Sequence, residues 1–169
     1  MTDTYGFHSH DHSACIADCV AHVDQLCRAQ GLQFTPVRRR VLEILLEAHR
    51  ARGAYEILDI LRNEGLGSQP PVVYRALDFL VSHGFVHKIE GLNAFVACAR
   101  PGEDHAAAFL ICRRCHAVAE TPTATGGGRL GTTARAAGFQ IEAAVIEATG
   151  VCPKCQTDGS ETPPSRART

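Results

Sequence analysis

The sequence predicts an α+β protein in two parts: a helical part that ends in a β-hairpin, and a smaller α/β part that four cysteines close. Three observations support this prediction. Apolar residues recur at helical spacing through the first half of the chain. A short stretch at 85–98 then alternates around a Gly-Leu-Asn turn. Finally, two C-x-x-C pairs frame residues 116–151.

Composition bounds the class of protein. The chain has 169 residues, enough for one large or two small domains, and 45% hydrophobic residues, which permits a packed core. A net charge of −1 argues against nucleic-acid binding through global charge, although a local basic face stays open. The eight Cys and nine His favour zinc-type chemistry over magnesium or calcium. The N-terminus lacks the pattern of a signal peptide, and no apolar run would cross a bilayer.

The first two helices have recognisable starts. Residues 1–13 are polar and His-rich, and we expect this tail to be disordered. A helix is predicted to begin near Ser13, a suitable N-cap, and to end by Gly31. A second helix opens with Thr35 as N-cap and Pro36 at its first position. Its apolar stripe comprises Val41, Leu42, Leu45 and Leu46.

Two further helices and a hairpin complete the first part. The third helix is AYEILDILRNEG, which Gly65 ends; its predicted inner face is Ile57, Leu58 and Leu61. The fourth is QPPVVYRALDFLVSHG, with Gly84 just past its end; its predicted inner face is Leu77, Leu80 and Val81. The hairpin strands carry Phe85, Val86 and Ile89, then Ala94, Phe95 and Val96. Three helices before a two-stranded hairpin are typical of a winged helix-turn-helix, whose recognition helix would be the chain's fourth.

The second part is predicted at 107–156, after a first domain at 14–98 and a linker at 99–106. Its strands are expected near 108–111, 117–121 and 139–148. A helix should lie between the last two strands, although three consecutive glycines at 126–128 weaken it. The tail at 157–169 is predicted to be disordered.

The two C-x-x-C pairs indicate a structural zinc site. Each pair can direct two sulfurs to one centre, and four thiolates suit tetrahedral zinc. The ligands would be Cys112, Cys115, Cys152 and Cys155. The alternatives are two unrelated pairs or a disulfide, and a disulfide needs an oxidising compartment for which this sequence gives no sign.

A second set of ligand types flanks these pairs: His87, Cys98, His105 and Glu120. The first two lie in the hairpin, the third in the linker and the last in the second part. One metal ion taking all four would tie the two parts together. Taken singly, such residues are more often a surface histidine and a small buried hydrophobe.

The chain resembles the ferric uptake regulator family, and within it the zinc uptake regulator branch. The matching stretches are AYEILDILR, PPVVYRALDFLVSHGFVHKIE, the F-x-I-C-x-x-C pattern, VIEATG and the final C-x-x-C, within residues 26–155. The resemblance implies an N-terminal winged helix-turn-helix domain, a C-terminal α/β dimerisation domain, and a homodimer on a palindromic double-stranded operator, with two dimers per operator in some relatives.

The resemblance also implies residue roles. The four cysteines would hold structural zinc, and His87, Cys98, His105 and Glu120 would hold regulatory zinc. Tyr55 and Arg75 would read DNA, with Arg38 in support. Asp59 and Arg62 match positions that pair between neighbouring dimers in relatives.

The chemistry of these side chains agrees with the roles that the resemblance implies. Arg75 can donate twice to a guanine edge, and Tyr55 can contact a thymine methyl or a phosphate. Arg38, Arg39 and Arg40 suit phosphates, with a solvated face as the alternative. The thiolate of Cys98 favours zinc over ions that prefer oxygen ligands.

The N-terminal region is richer in ligands than the family requires. His8, His10 and His12 precede Cys15, Cys19 and His22, which share one helix face. A third zinc site here is one interpretation, and a flexible tail beside a core helix is the other.

The expected function is a zinc-responsive, cytoplasmic DNA-binding regulator that represses zinc-uptake genes. The alternatives are an iron- or other metal-sensing regulator of the same family, a zinc-storage protein and a thiol-redox protein.

Overall fold

A computed structural model describes residues 13–48, 50–67, 69–103, 106–123, 128–142 and 144–157. The predictions for the N-terminal tail up to residue 12, for His105 and for residues 158–169 lie outside this range. At the edges of the two predicted tails, Ser13 and Thr157 are helical. No helix within the described ranges is long and apolar enough to span a membrane.

Four helices form the first part. They are α1 (Ser13–Ala29), α2 (Pro36–Glu47), α3 (Ala54–Asn63) and α4 (Pro70–Ser82). As predicted, the Thr35 side chain caps α2 by accepting the backbone N–H of Arg38 at 3.4 Å. The helices meet in one core whose fully buried members include Val23, Ile44, Leu45, Ile57, Leu61, Leu77, Leu80 and Phe85.

One predicted core residue is wrong. Val81 is 37% exposed, because Leu77 and Leu80 already define the buried side of α4. The next position is turned by about 100° around the helix axis. Leu46 is only partly buried against the same core.

The hairpin consists of β1 (Val86–Ile89) and β2 (Ala94–Ala97), joined by a 3₁₀ turn at Glu90–Leu92. Asn93 ends the turn with a φ of 46°, a left-handed conformation that asparagine tolerates better than most residues. The loop between α2 and α3 extends this small sheet, since Arg52 and Phe95 exchange two backbone hydrogen bonds of 2.9 and 2.8 Å. The predicted arrangement of three helices and a hairpin is therefore present. We call the hairpin of β1 and β2 the wing, and α4 lies directly before it.

The second part contains β3 (Ala106–Cys112), β4 (Val118–Thr123), α5 (Gly128–Ala136), β5 (Ile146–Gly150) and α6 (Pro153–Thr157). Its sheet has the order β4-β3-β5, with β4 antiparallel and β5 parallel to β3. The last strand differs from the predicted 139–148. It begins at Ile146, since β3 offers backbone partners to 146–150 through its own residues 108–112.

A second apolar cluster lies between the wing and this sheet. Ile89 and Ala94 of the wing pack with Phe109, Ile111 and Val118 of the sheet. Arg50 also forms an isolated antiparallel bridge with Ala117. The wing therefore contacts helices on one side and the C-terminal sheet on the other, and side chains from both parts meet at this junction. The predicted α+β fold class is confirmed.

Candidate metal centres and nucleic-acid interface

The four cysteines of the C-x-x-C pairs come together at one end of the C-terminal sheet. Cys112 ends β3 and Cys115 lies in the tight turn after it, where the His116 backbone N–H donates to the Cys112 carbonyl at 2.9 Å. Cys152 directly precedes α6 and Cys155 lies within it. All four sulfurs lie within 4.8 Å of one another. The chain thus brings together the residues that the spacing predicted.

The sulfur geometry suits a tetrahedral ion. The Sγ atoms of Cys115 and Cys152 are 3.7 Å apart. Zn–S bonds of about 2.3 Å in a tetrahedron would place sulfurs about 3.8 Å apart. A disulfide would need about 2.05 Å, so the disulfide alternative does not describe this arrangement.

The cluster already stabilises negative charge on one sulfur. Burial raises the pKa of Cys112, but the backbone N–H groups of Cys115, Cys152 and Arg114 outweigh it and lower that pKa to about 6. One of these donors is the Cys152 N–H, 3.3 Å from the Cys112 sulfur. The hydrogen bond with Cys152, followed by burial, raises the pKa of Cys155 to about 12. Four sulfur donors, one of them readily ionised, fit zinc chemically.

A second cluster joins the wing to the sheet. His87 lies in β1, Cys98 directly follows β2 and Glu120 lies in β4. Their ligand atoms all lie within 4.8 Å of one another. Three of the four residues predicted for a regulatory site are therefore together, and the fourth, His105, lies outside the described residues.

This cluster is nearly closed to solvent. Cys98 is 2% exposed and Glu120 is 8% exposed. The Nε2 atom of His87 is 3.6 Å from Oε1 of Glu120, and Oε2 accepts the backbone N–H of Ala99 at 2.9 Å. A buried carboxylate beside an imidazole and a thiol is costly unless it is paired or ligates a metal ion.

The surroundings of Cys98 oppose loss of the proton from its thiol. Burial first, and the carboxylate of Glu120 second, raise the pKa of Cys98 to about 12. The thiol would lose its proton on binding a cation. Sulfur, nitrogen and oxygen donors together fit zinc better than they fit magnesium or calcium.

The proposed N-terminal cluster is not assembled within the described residues. Cys15, Cys19 and His22 lie along α1, yet they do not form a group of converging ligand atoms there. The Nε2 atom of His22 is instead 3.2 Å from the carbonyl of Pro101. His8, His10 and His12 lie outside the described residues.

A polar and aromatic surface runs along α4 and the start of α3. Arg75 and Tyr74 point outward from α4, and Tyr55 at the start of α3 is 68% exposed. Tyr74 is 43% exposed and was not predicted from the sequence. Its signal was the helical period, which places it outside the buried stripe and next to Arg75.

Arg38 shares a cleft with Arg75. This cleft of about 220 Å³ lies between the start of α2 and α4, and both arginines line it. The guanidinium of Arg38 lies 3.7 Å from the ring centroid of Phe79 and donates to the Gln33 carbonyl. Two cations around one cleft suit an anionic group of the size of a phosphate.

The two neighbouring arginines form ion pairs with other side chains of the same chain. Arg40 pairs with Glu43, Glu47 and Glu64 at 2.7–3.1 Å, and Arg39 pairs with Asp24 at 3.0 Å. The expectation that all three arginines of this run suit phosphates is therefore wrong for Arg40. Carboxylates on α2 and at the end of α3 already surround its guanidinium.

Asp59 and Arg62 form an exposed pair within one chain. Their side chains are 3.2 Å apart on α3 and are 69% and 52% exposed. Such a pair is weak in water. Both groups can therefore exchange partners when another protein surface approaches.

The outer strand of the C-terminal sheet carries exposed apolar side chains. No further strand pairs with the outer edge of β5 within the described ranges. Ile146 in this strand and Val145 before it are 41% and 67% exposed. An unpaired edge beside apolar surface is typical of a protein–protein contact.

Comparisons with known proteins match this chain to one family. The model of the ferric uptake regulator family matches residues 29–149. The zinc uptake regulation protein of Escherichia coli strain K12 is 38% identical over 139 residues, which cover 82% of this chain and 81% of that protein.

Two solved structures also match this chain over most of its length. A zinc uptake regulator complexed with zinc and DNA matches with a TM-score of 0.78 and 37% identity, over 85% of this chain and 96% of that chain. The crystal structure of holo XcZur matches with a TM-score of 0.73 and 43% identity, over 83% of this chain and 98% of that one.

Proposed function

The chain belongs to the ferric uptake regulator family, and we propose that it is a zinc-responsive, DNA-binding regulator that represses zinc-uptake genes. It works as a homodimer on double-stranded DNA and is not an enzyme. The relatives named as zinc uptake regulators support this function. The chemistry of the cluster at His87, Cys98 and Glu120 supports zinc as its signal.

The observation that carries the proposal is the position of that cluster. His87 and Cys98 belong to the wing, whereas Glu120 belongs to the sheet. These three side chains can share an ion only while the wing lies against the sheet. Because an ion then binds the closed arrangement better than an open one, ion binding shifts the population toward the closed arrangement. His105 is the proposed fourth ligand.

The four-cysteine cluster has a different role in this proposal. Cys112, Cys115, Cys152 and Cys155 lie wholly within the second part, so a zinc ion there holds the end of the sheet and α6 together. It would supply folding free energy rather than a signal. The chain therefore takes two zinc ions, and a third at the N-terminal cysteines and histidines is a separate interpretation.

DNA recognition is assigned to the outward face of α3 and α4. Arg75 would read a base edge in the major groove, with Tyr55 and the neighbouring Tyr74 beside it. Arg38 would hold a phosphate and so fix the orientation of α4 without reading sequence. The exposure of Tyr55, Tyr74 and Arg75 and the position of Arg38 in the cleft beside Arg75 support the assignment.

The dimer sets the distance between two copies of α4. We propose that 14–98 is the DNA-binding domain, 99–106 the hinge and 107–156 the dimerisation domain. Pairing through the exposed surface at β5 would place the two α4 helices on the two halves of a palindrome. Asp59 and Arg62 would exchange partners where two dimers bind side by side. The regulator would act in the cytoplasm, where promoter DNA lies.

The alternative within the family is a sensor of iron or another metal. Iron would favour a cluster of histidine and carboxylate ligands, whereas this cluster includes the buried thiol of Cys98. Storage and thiol-redox functions would not require an outward face such as that of α4.

A serine variant tests the proposed sensing role. Cys98→Ser should leave a folded dimer with its four-cysteine zinc, since Cys98 lies outside that cluster. The variant should bind operator DNA only at free zinc concentrations at least about tenfold higher, because the site loses its sulfur ligand. Fluorescence anisotropy of a labelled promoter duplex from a zinc-import gene, in buffered zinc, measures this shift.

The matched control is Cys15→Ser, which removes an exposed thiol from α1. It should respond to zinc as the parent does. A Cys98→Ser protein with the parent's zinc response would show that the sensing site lies elsewhere.

A further inference from the structure

Glu147 makes a second contact between the C-terminal sheet and the wing. Its Oε1 accepts the backbone N–H of Glu90 at 2.7 Å, and its Oε2 accepts that of Gly91 at 2.9 Å. Both donors belong to the 3₁₀ turn at the tip of the wing. A carboxylate that accepts two N–H groups forms charge-assisted hydrogen bonds, which are stronger than neutral ones.

The wing turn fits closely against this carboxylate. A Cβ atom placed on Gly91 would lie 2.9 Å from Oε2 of Glu147, which is too close for an ordinary contact. The side chain of Glu90 does not compete for the same place, since its Oε2 pairs with Lys88 at 2.9 Å. The sequence at the turn therefore leaves both backbone donors open to Glu147.

The position of Glu147 in the sheet relates it to the proposed regulatory site. Phe109 on the central strand is in register with Glu120 on one side and Glu147 on the other. Register partners point to the same face of a sheet, so these three residues form one row. The ring of Phe109 lies 5.1 Å from that of His87. The wing thus crosses this row, with His87 near Glu120 at one end and the turn on Glu147 at the other.

We propose that Glu147 is a positioning residue that holds the wing, and with it α4, in the DNA-binding orientation. This inference rests on the function proposed above. The contact at Glu147 consists of direct hydrogen bonds to the turn, whereas the proposed ligands at the other end of the row would share an ion. Both favour the same closed arrangement, so each must strengthen the other by the same factor. Because Glu147 lies on the outer strand β5, it also links the wing to the proposed dimer surface.

The test compares Glu147→Ala, Glu147→Gln and Glu142→Gln. Glu142 is an exposed acid in the segment before the same strand and serves as the charge-matched control. Three properties are measured on the full-length dimer: operator affinity at saturating zinc, zinc affinity of the regulatory site by chelator competition, and hydrogen exchange of the Glu90 and Gly91 amides.

Glu147→Ala should lower both operator affinity and regulatory zinc affinity by about tenfold. The two amides should exchange faster, while dimer mass and four-cysteine zinc content stay at parental values. Glu147→Gln keeps one acceptor oxygen, so the decrease in both affinities and the increase in amide exchange should be intermediate. The control should match the parent. A purely structural role for Glu147 would instead lower thermal stability without a change in zinc affinity.

The proposal is overturned if Glu147→Ala keeps the parental operator and zinc affinities, or if the two amides exchange at the parental rate in every variant. If the proposed zinc-responsive DNA binding is itself wrong, the measurements give a different result. In that case the parent itself would not bind the operator when zinc is added, while hydrogen exchange would still report whether Glu147 holds the turn.

Discussion

Three consecutive arginines at the start of α2 have three different surroundings. Arg38 lies on Phe79 and lines a cleft with Arg75, Arg39 pairs with Asp24, and Arg40 is held by three glutamates. The sequence presents them as one basic run. Their roles differ because each turn of about 100° along the helix directs the next side chain to another neighbour.

This contrast gives a prediction at the scale of single residues. Arg38→Gln should weaken DNA binding on all sequences alike and lower the salt slope of binding by about 1 for each chain in the complex. Arg40→Gln should leave that slope unchanged and slightly lower the melting temperature, since it removes only internal ion pairs. Anisotropy titrations over a range of salt concentrations measure the slopes. Equal slopes for Arg38→Gln and the parent would remove Arg38 from the interface.

The four-cysteine cluster could be predicted from residue type and spacing, and the grouping of His87, Cys98 and Glu120 from ligand type together with the resemblance to the family. The surroundings of Val81 and Arg40 could not be predicted, because they depend on which neighbouring helix lies beside each position. Glu147 has no such signal at all, since its partners are two backbone N–H groups of a distant turn.

At the scale of elements, the least predictable part was the segment between β4 and α6. Helix α5 is only nine residues long and begins at Gly128, the last glycine of the run, in keeping with the weak helix propensity of this segment. Strand β5 has an exposed pattern with little alternation, so periodicity alone did not place it. Its bounds follow from β3, which supplies the backbone partners. The four cysteines bring the end of β3 close to α6.

A serine variant tests the structural role of that cluster. Cys112→Ser should release zinc, unfold the C-terminal sheet and convert dimers to monomers, because structural zinc supplies folding free energy and the remaining elements are short. Zinc content per chain and mass by light scattering measure the outcome. Cys15→Ser is again the control and should stay dimeric. A zinc-loaded dimer of Cys112→Ser would contradict a structural role for the cluster.

At the scale of the whole molecule, the wing lies between the helices of the first part and the C-terminal sheet. It packs on α4 on one side and on the row of Glu120, Phe109 and Glu147 on the other. Zinc binding at one end of this row would favour the orientation of α4 that suits a palindrome. The proposed regulation therefore requires only that the closed arrangement bind the ion better than an open one, by a few kcal/mol at most.

The most direct test of this account measures operator binding by the full-length dimer as buffered free zinc is raised, with metal content per chain determined at each step. We expect one zinc ion to be retained per chain at low free zinc, and DNA binding to appear as a second zinc ion is taken up. Uptake of a third zinc ion per chain would implicate the N-terminal cysteines and histidines. DNA binding that is indifferent to zinc, or that responds to iron or manganese instead, would contradict the account.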